Sequence, residues 1–323
     1  VSALTYTRLT GRVIVANLVV QILIIATGGA VRLTGSGLGC SSWPNCAPGQ
    51  FTPTLHGESS FHPYVEWGNR MMGAVVVVVA LAVALLVFFA QHRSVRPAPS
   101  IRLLWLATVP LLLSLVQAVL GGLTVVLDLH PALVGSHFLF SAALVWLSTW
   151  LVIDWYRPGQ ARLAVPARLR TVGWLLAAVA AVVVVLGMVV TGSGPHSGDD
   201  EVGYRFAVDP VLVARAHAGA VWVFVALLAV LLVLAFHASH DGAVRLSVVR
   251  RRALVLLGVT LAQGAIGYVQ YFTGLPELLV GIHMVGAAVL LVATAWTVAG
   301  MSERASRAEL AAAEPTVPVT VQH

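Results

Sequence analysis

Eight apolar runs, each close to the ~20 residues that a helix needs to cross a bilayer, decide what this chain can become. They fall at 13–31, 68–90, 102–126, 134–154, 171–191, 211–236, 253–273 and 278–299. Inside hydrocarbon every backbone N–H and C=O must be satisfied within the protein, so only helices and closed barrels span. The runs are long and lack period-two alternation, which predicts helices. Spans and connections use nearly all 323 residues and leave no length for a soluble domain. With 59% apolar and 10% charged residues, and a mean hydropathy of +0.90, the lipid bilayer is the expected solvent. The first span is longer than a signal-peptide core and no A-x-A site follows it, so it reads as a membrane helix.

Part of the chain is written twice. At a constant offset of 146 residues, Leu115–Trp150 overlies Leu261–Trp296 without a gap. Gln117 falls on Gln263, Gly121 on Gly267, His137 on His283 and Trp150 on Trp296. Thr191-Gly192-Ser193-Gly194 after span 5 likewise echoes Thr34-Gly35-Ser36-Gly37 after span 1. The expected architecture is therefore all-α, with eight transmembrane helices forming two parallel four-helix-bundle repeats. The boundaries are an N-terminal half at 1–160, a C-terminal half at 161–300 and a disordered tail at 301–323.

All 19 basic residues are arginine, and only Arg32, Arg70, Arg205 and Arg215 lie on the side opposite the termini. The positive-inside rule then puts both termini in the cytoplasm of a multi-pass cell-membrane protein. The net charge of +6 is this bias rather than a nucleic-acid footprint. Glycine-rich helix faces suit association, with a second copy included.

The outer loop between spans 1 and 2 holds the only two cysteines, Cys40 and Cys46. On that side disulfides persist, and two thiolates alone make a poor zinc site. The pair reads as a structural disulfide or as a reversible redox couple. Glu66, Asn69 and Arg70 follow at helical spacing and share one face. They read either as a helix-end ion pair or as part of a site.

Histidines are costly in apolar spans and mark functional sites by default. His137, His217 and His283 lie in spans 4, 6 and 8, roughly 5–10 Å below the outer surface at 1.5 Å per residue. Asn69 in span 2 sits at the same level. Histidines at one depth on alternate helices point to axial ligation of a planar metal macrocycle within a bundle. His92, His237, His240 and His323 read as solvated residues of the inner face.

These residues carry a family resemblance. The chain resembles haem A synthase, the eight-span membrane enzyme of cytochrome oxidase assembly, over roughly 12–299. The likeness rests on Thr27–Gly37 with the Cys40/Cys46 loop, Glu66-x-x-Asn69-Arg70, Thr191–Gly198 and the three span histidines. The resemblance implies oxidation of a haem O methyl to the formyl group of haem A by successive hydroxylations. It implies a haem B cofactor between His217 and His283, haem O on His137, and Glu66 as the catalytic residue. Cys40 and Cys46 match the family's loop cysteines. Haem O synthase and oxidase assembly factors are the implied partners. Arg70 and Arg215 are expected to pair with haem propionates, which suits guanidinium geometry.

The chain departs from the family at Asn69, where the resemblance calls for histidine. Asparagine is a weak iron ligand, so five-coordination through His137 is expected, with His62 and His56 as less favourable substitutes. Two other readings compete. A di-haem cytochrome taking electrons from quinol needs the same histidines but would keep both sites six-coordinate. A transporter would place polar groups near the membrane middle, where these spans are expected to be apolar.

Overall fold

A computed structural model describes residues 3–53, 60–93, 95, 97–158, 162–163, 165–199, 201–238 and 243–303. His56, His240, His323 and residues 304–323 of the expected tail lie outside them. Eight helices form among the described residues: α1 Ala3–Leu33, α2 His62–Ala90, α3 Ile101–Val126, α4 Pro131–Tyr156, α5 Ala167–Ser193, α6 Pro210–His237, α7 Ala243–Phe272 and α8 Glu277–Ala299. All eight are long and apolar enough to cross a membrane. The only strands among these residues are β1 Arg162–Leu163 and β2 Ser302–Glu303, an antiparallel pair.

Several helices outrun their apolar cores. α1 begins at residue 3 rather than 13, α2 at 62 rather than 68, and α7 at 243 rather than 253. Hydropathy reports only the part that needs hydrocarbon, whereas helical hydrogen bonding continues into the interface. The extension of α2 carries Glu66 into the helix.

Local chemistry sets several starts. Ser100 caps α3 by accepting the Leu103 N–H at 3.2 Å. Asp209 caps α6 by accepting from Val211 at 2.8 Å, with Pro210 at the first helical position. Pro131 opens α4 in the same way.

In the first four helices, α1 packs on α2 and α4, and α3 on α2 and α4. In the last four, α5 packs on α6 and α8, and α7 on α6 and α8. The sets meet where α4 and α8 touch, flanked by α1 against α8 and α4 against α5. Ile14, Val83, Val87, Leu103 and Leu151 form one apolar core. Leu169, Leu176, Phe224, Leu228 and Leu231 belong to a larger one. Large side chains such as Trp105, Leu212 and Val233 are exposed outside the cavity, as a lipid-facing surface requires.

The expectation of apolar span centres needs correction. Asn17, Gln21, Ser114, Gln117, Ser141 and Ser148 are all buried within α1, α3 and α4. An average over a window hides single polar residues that turn inward.

The end bearing the cysteine loop ties the two sets together. Gly37 N–H donates to the Gly198 carbonyl at 2.7 Å. Arg32 Nε donates to the His196 carbonyl at 2.7 Å and its terminal nitrogen to the Thr191 carbonyl at 2.6 Å.

Candidate functional site

A cavity of about 1510 Å³ opens between the helices near this end. It exceeds the roughly 300–1,000 Å³ that encloses one drug-sized ligand. Glu66, Asn69, Arg70, His137, Arg215, His217 and His283 all line it. Spacing alone put these residues at one depth, and helix packing brings them onto one wall.

Each of the four level residues lies against a glycine of the preceding helix. A Cβ at Gly28 would sit 3.8 Å from Asn69 Oδ1, and one at Gly121 3.5 Å from His137 Cε1. At Gly187 it would be 3.2 Å from His217 Cε1, and at Gly267 3.3 Å from His283 Cε1. The last two separations are tighter than ordinary contact. These helices approach closely because the glycine leaves a shallow slot for the ring.

The imidazoles are held in two ways. His217 Nδ1–H donates to the Val183 carbonyl at 3.0 Å, which leaves Nε2 as the free donor atom. His137 and His283 each have a buried Nδ1 with no hydrogen-bond partner. The backbone behind them is braced identically. Gln117 Nε2 donates to the His137 carbonyl at 2.9 Å, and Gln263 Nε2 to the His283 carbonyl at 3.0 Å. The repeat offset paired these glutamines, but their role was not legible until the bonds were seen.

Among the described residues no three His, Cys, Asp or Glu side chains gather where a bare metal ion could bind. A metal macrocycle supplies its own equatorial nitrogens and asks the protein for only one or two donors. Imidazoles with unengaged ring nitrogens, set in glycine slots on a largely apolar wall, fit such a group.

Around Glu66 the arrangement is different. The carboxylate is 4% exposed. Its Oε2 accepts the Cys40 backbone N–H at 2.6 Å, and its Oε1 accepts Arg70 Nε at 3.1 Å and the Arg70 terminal nitrogen. Another Arg70 nitrogen donates to the carbonyls of Ser42 at 2.9 Å and Asn45 at 3.0 Å, and more distantly to Pro44. Cys40 and Cys46 are joined in a disulfide. Glu66 and Arg70 thus fasten the disulfide loop to α2. The expected pairing of Arg70 with a propionate finds its guanidinium already engaged by Glu66 and the loop carbonyls. Arg215 is exposed on the cavity wall with no polar partner among the described residues, so it is the arginine available to an anion there.

Asn69 Oδ1 accepts the Thr27 hydroxyl at 2.7 Å. His62 opens α2, and its Nδ1 bonds Ser36 Oγ at 2.9 Å, away from the cavity wall. Trp43 of the disulfide loop lies over Gly122 of α3 and lines the cavity, a contact that no sequence signal announced. Arg32 was likewise read only as a charge on the sparse side.

Fold and site together define a multi-pass helical membrane protein built around a histidine-lined cavity. The chain belongs to the cytochrome oxidase assembly protein family, which it matches over residues 11–195. That stretch runs from α1 to the loop after α5. His217 and His283 lie beyond it. A protein named Heme A synthase from Geobacillus thermodenitrificans is 33% identical over 131 residues, 41% of this chain and 38% of that protein. One from Bacillus pumilus (strain SAFR-032) is 32% identical over 139 residues, 42% of each chain. A third of that name, from Caulobacter sp. (strain K31), is 28% identical over 333 residues, 88% of this chain and 93% of that protein. The chain thus spans about two fifths of the first two relatives (38% and 42%) and nearly all of the third (93%).

Proposed function

We propose that this chain is a haem A synthase, oxidising a methyl group of haem O to the formyl group of haem A in the cell membrane. The observation that carries the reading is the asymmetry of one cavity. Paired imidazoles, His217 and His283, stand on α6 and α8, while His137 and Asn69 stand beside Glu66 on α2 and α4. The name Heme A synthase, which the relatives carry, supports the same product.

In this reading α5–α8, within residues 161–300, hold a resident haem B through His217 and His283, and α1–α4, within residues 1–160, receive haem O on His137. Haem B, when bound, supplies a one-electron carrier next to the substrate. The Val183 carbonyl fixes the His217 tautomer and presents Nε2 to the iron. Asn69, a weak iron donor whose Oδ1 already accepts the Thr27 hydroxyl, would leave His137 as the side chain that holds the substrate. Arg215 meets a propionate, and the apolar wall keeps bulk water from the ring. Among the described residues Glu66 is the one carboxylate lining this cavity, and it acts as the proton acceptor for the methyl oxidation or orients water for it. Its bond to Cys40 makes its position depend on the disulfide loop. Haem O synthase supplies the substrate, and oxidase assembly factors take the product. Both termini face the cytoplasm, and the protein associates with itself through glycine-rich faces.

The test is purification from a host that makes haem O, followed by extraction and chromatography of the bound haems. Haem B together with haem O, haem A or a hydroxylated intermediate is expected. Haem B alone at two per chain would replace this reading with an electron-transfer cytochrome.

A further inference from the structure

The first four helices contain a line of buried polar side chains that the site chemistry above does not use. It starts beside His137, where Gln117 Nε2 donates to Ser141 Oγ at 2.7 Å. Deeper in the bundle Gln21 Nε2 approaches Ser114 Oγ at 3.5 Å. Deeper again Asn17 Nδ2 donates to Ser148 Oγ at 3.0 Å. All six side chains are more than nine-tenths buried, Gln21 and Ser148 completely. Thr10, also fully buried, continues the same face of α1 one heptad below Asn17. From His137 to Ser148 the line descends about 16 Å along α4.

Three amide oxygens along it have no partner: Asn17 Oδ1, Gln21 Oε1 and Gln117 Oε1. Turning an amide over would exchange the unanswered atom for its neighbour and leave one polar atom per residue unmet. Buried polar groups are satisfied by protein or by ordered water, because leaving them bare is costly. Gln21, Ser114, Gln117 and Ser141 also line the cavity, so the line is open to it at its upper end.

Among the described residues the other four helices keep only part of this line: Thr260, Gln263 with its own bare Oε1, and Thr294 stand at the positions of Ser114, Gln117 and Ser148. Residues 174 and 178, which take the places of Asn17 and Gln21 at the loop-motif offset of 157, are Trp174 and Ala178. Ser141 is replaced by Ala287 at the repeat offset.

We propose that this column holds a file of waters and conducts protons between the His137 side of the cavity and the end of the bundle where α1 begins and α8 ends. The hydration depends only on the buried amides. The direction of use rests on the synthase reading, in which C–H oxidation releases protons into an apolar cavity where they cannot stay. Acceptors and hydroxyls spaced along α1, α3 and α4 give water the two to four polar partners that it needs.

Two measurements decide it. Both native cysteines are in the disulfide, so a thiol placed in the column is the only free one. Asn17→Cys and Gln21→Cys are made in the full chain in membranes and exposed to silver ion. Protection from later maleimide labelling in denaturant is then read by mass. Protection several-fold faster than for Ala180→Cys, in the apolar core of the other half, is the expected result. Equal rates would mean a dry column and overturn the proposal. The second measurement is haem O turnover in Asn17→Leu/Gln21→Leu, with Gln21→Thr as the variant that keeps a polar, hydrogen-bonding group at that position. Turnover should fall by about 10²-fold, the lower end for a positioned proton transfer. The solvent deuterium isotope effect should rise, the His217/His283 haem spectrum should stay unchanged, and Gln21→Thr should restore much of the rate. Wild-type turnover in the leucine variant would overturn the proton route. If the unmodified protein fails to oxidise haem O, the synthase reading falls, and the silver result still decides whether the column is wet.

Discussion

The two sets of four helices frame one cavity and bury different material behind it. Behind His217 and His283, α5–α8 pack Leu169, Leu176, Phe224, Leu228 and Leu231. Thr260 and Thr294, at the repeat positions of Ser114 and Ser148, donate to the Leu256 and Leu290 carbonyls of their own helices, each at 2.7 Å, as Ser114 does to the Pro110 carbonyl at 2.8 Å, and neither accepts from an amide of another helix among the described residues. Behind His137, α1–α4 place amides and serines that bond across helices. A more apolar wall suits a group that stays and must not lose its ligands. A polar wall suits a group that arrives, reacts and leaves. The same scaffold reaches both conditions by exchanging a few inward-facing residues while its backbone bracing, Gln117 to His137 and Gln263 to His283, stays the same.

The largest expected effect comes from taking one histidine from each side. His283→Ala should abolish the resident haem absorbance in the purified protein. His137→Ala should leave that absorbance intact and end product formation. Equal loss of resident haem in both variants would break the contrast. Next, Glu66→Gln should lower turnover by about 10²-fold or more, as expected for a lost proton acceptor, with haem content unchanged by pyridine haemochrome assay. A variant that turns over normally would reduce Glu66 to a strut for the disulfide loop.

Asn69→His should give the substrate side a second axial ligand and add a low-spin signal in electron paramagnetic resonance when haem O is present. No new signal would mean that α2 does not face the iron. A smaller effect is expected at the glycine slots. Gly187→Ala presses on His217 and should cost about 1–3 kcal/mol of stability by overpacking. Gly121→Ala meets His137 at an ordinary contact distance and should cost less. Thermal melts of the two variants compare the sides directly.

The eight spans were legible because crossing hydrocarbon demands long apolar helices. The histidines were legible because such residues are conspicuous there, and together with the loop motifs and Glu66-x-x-Asn69-Arg70 they carried the family likeness. Contacts between distant segments were not. Arg70 looked like a propionate ligand, yet the carbonyls of Ser42 and Asn45 that engage it are presented by a loop whose course no periodicity encodes. Gly187 was invisible as a partner of His217 because the two stand on different helices and the 146-residue repeat does not reach α5. Asn17 and Gln21 vanished into the average hydropathy of α1.

The clamp made by Arg32 bears on the order of events during synthesis. Its acceptors, Thr191 and His196, lie 159 and 164 residues downstream. The guanidinium at the end of α1 therefore waits without these acceptors until α5 and the loop after it have been made. Until then the first four helices stand with one side of their cavity unwalled. In a growing chain the joining of the two sets at this end is therefore a late event, set by the arrival of residues 191–198.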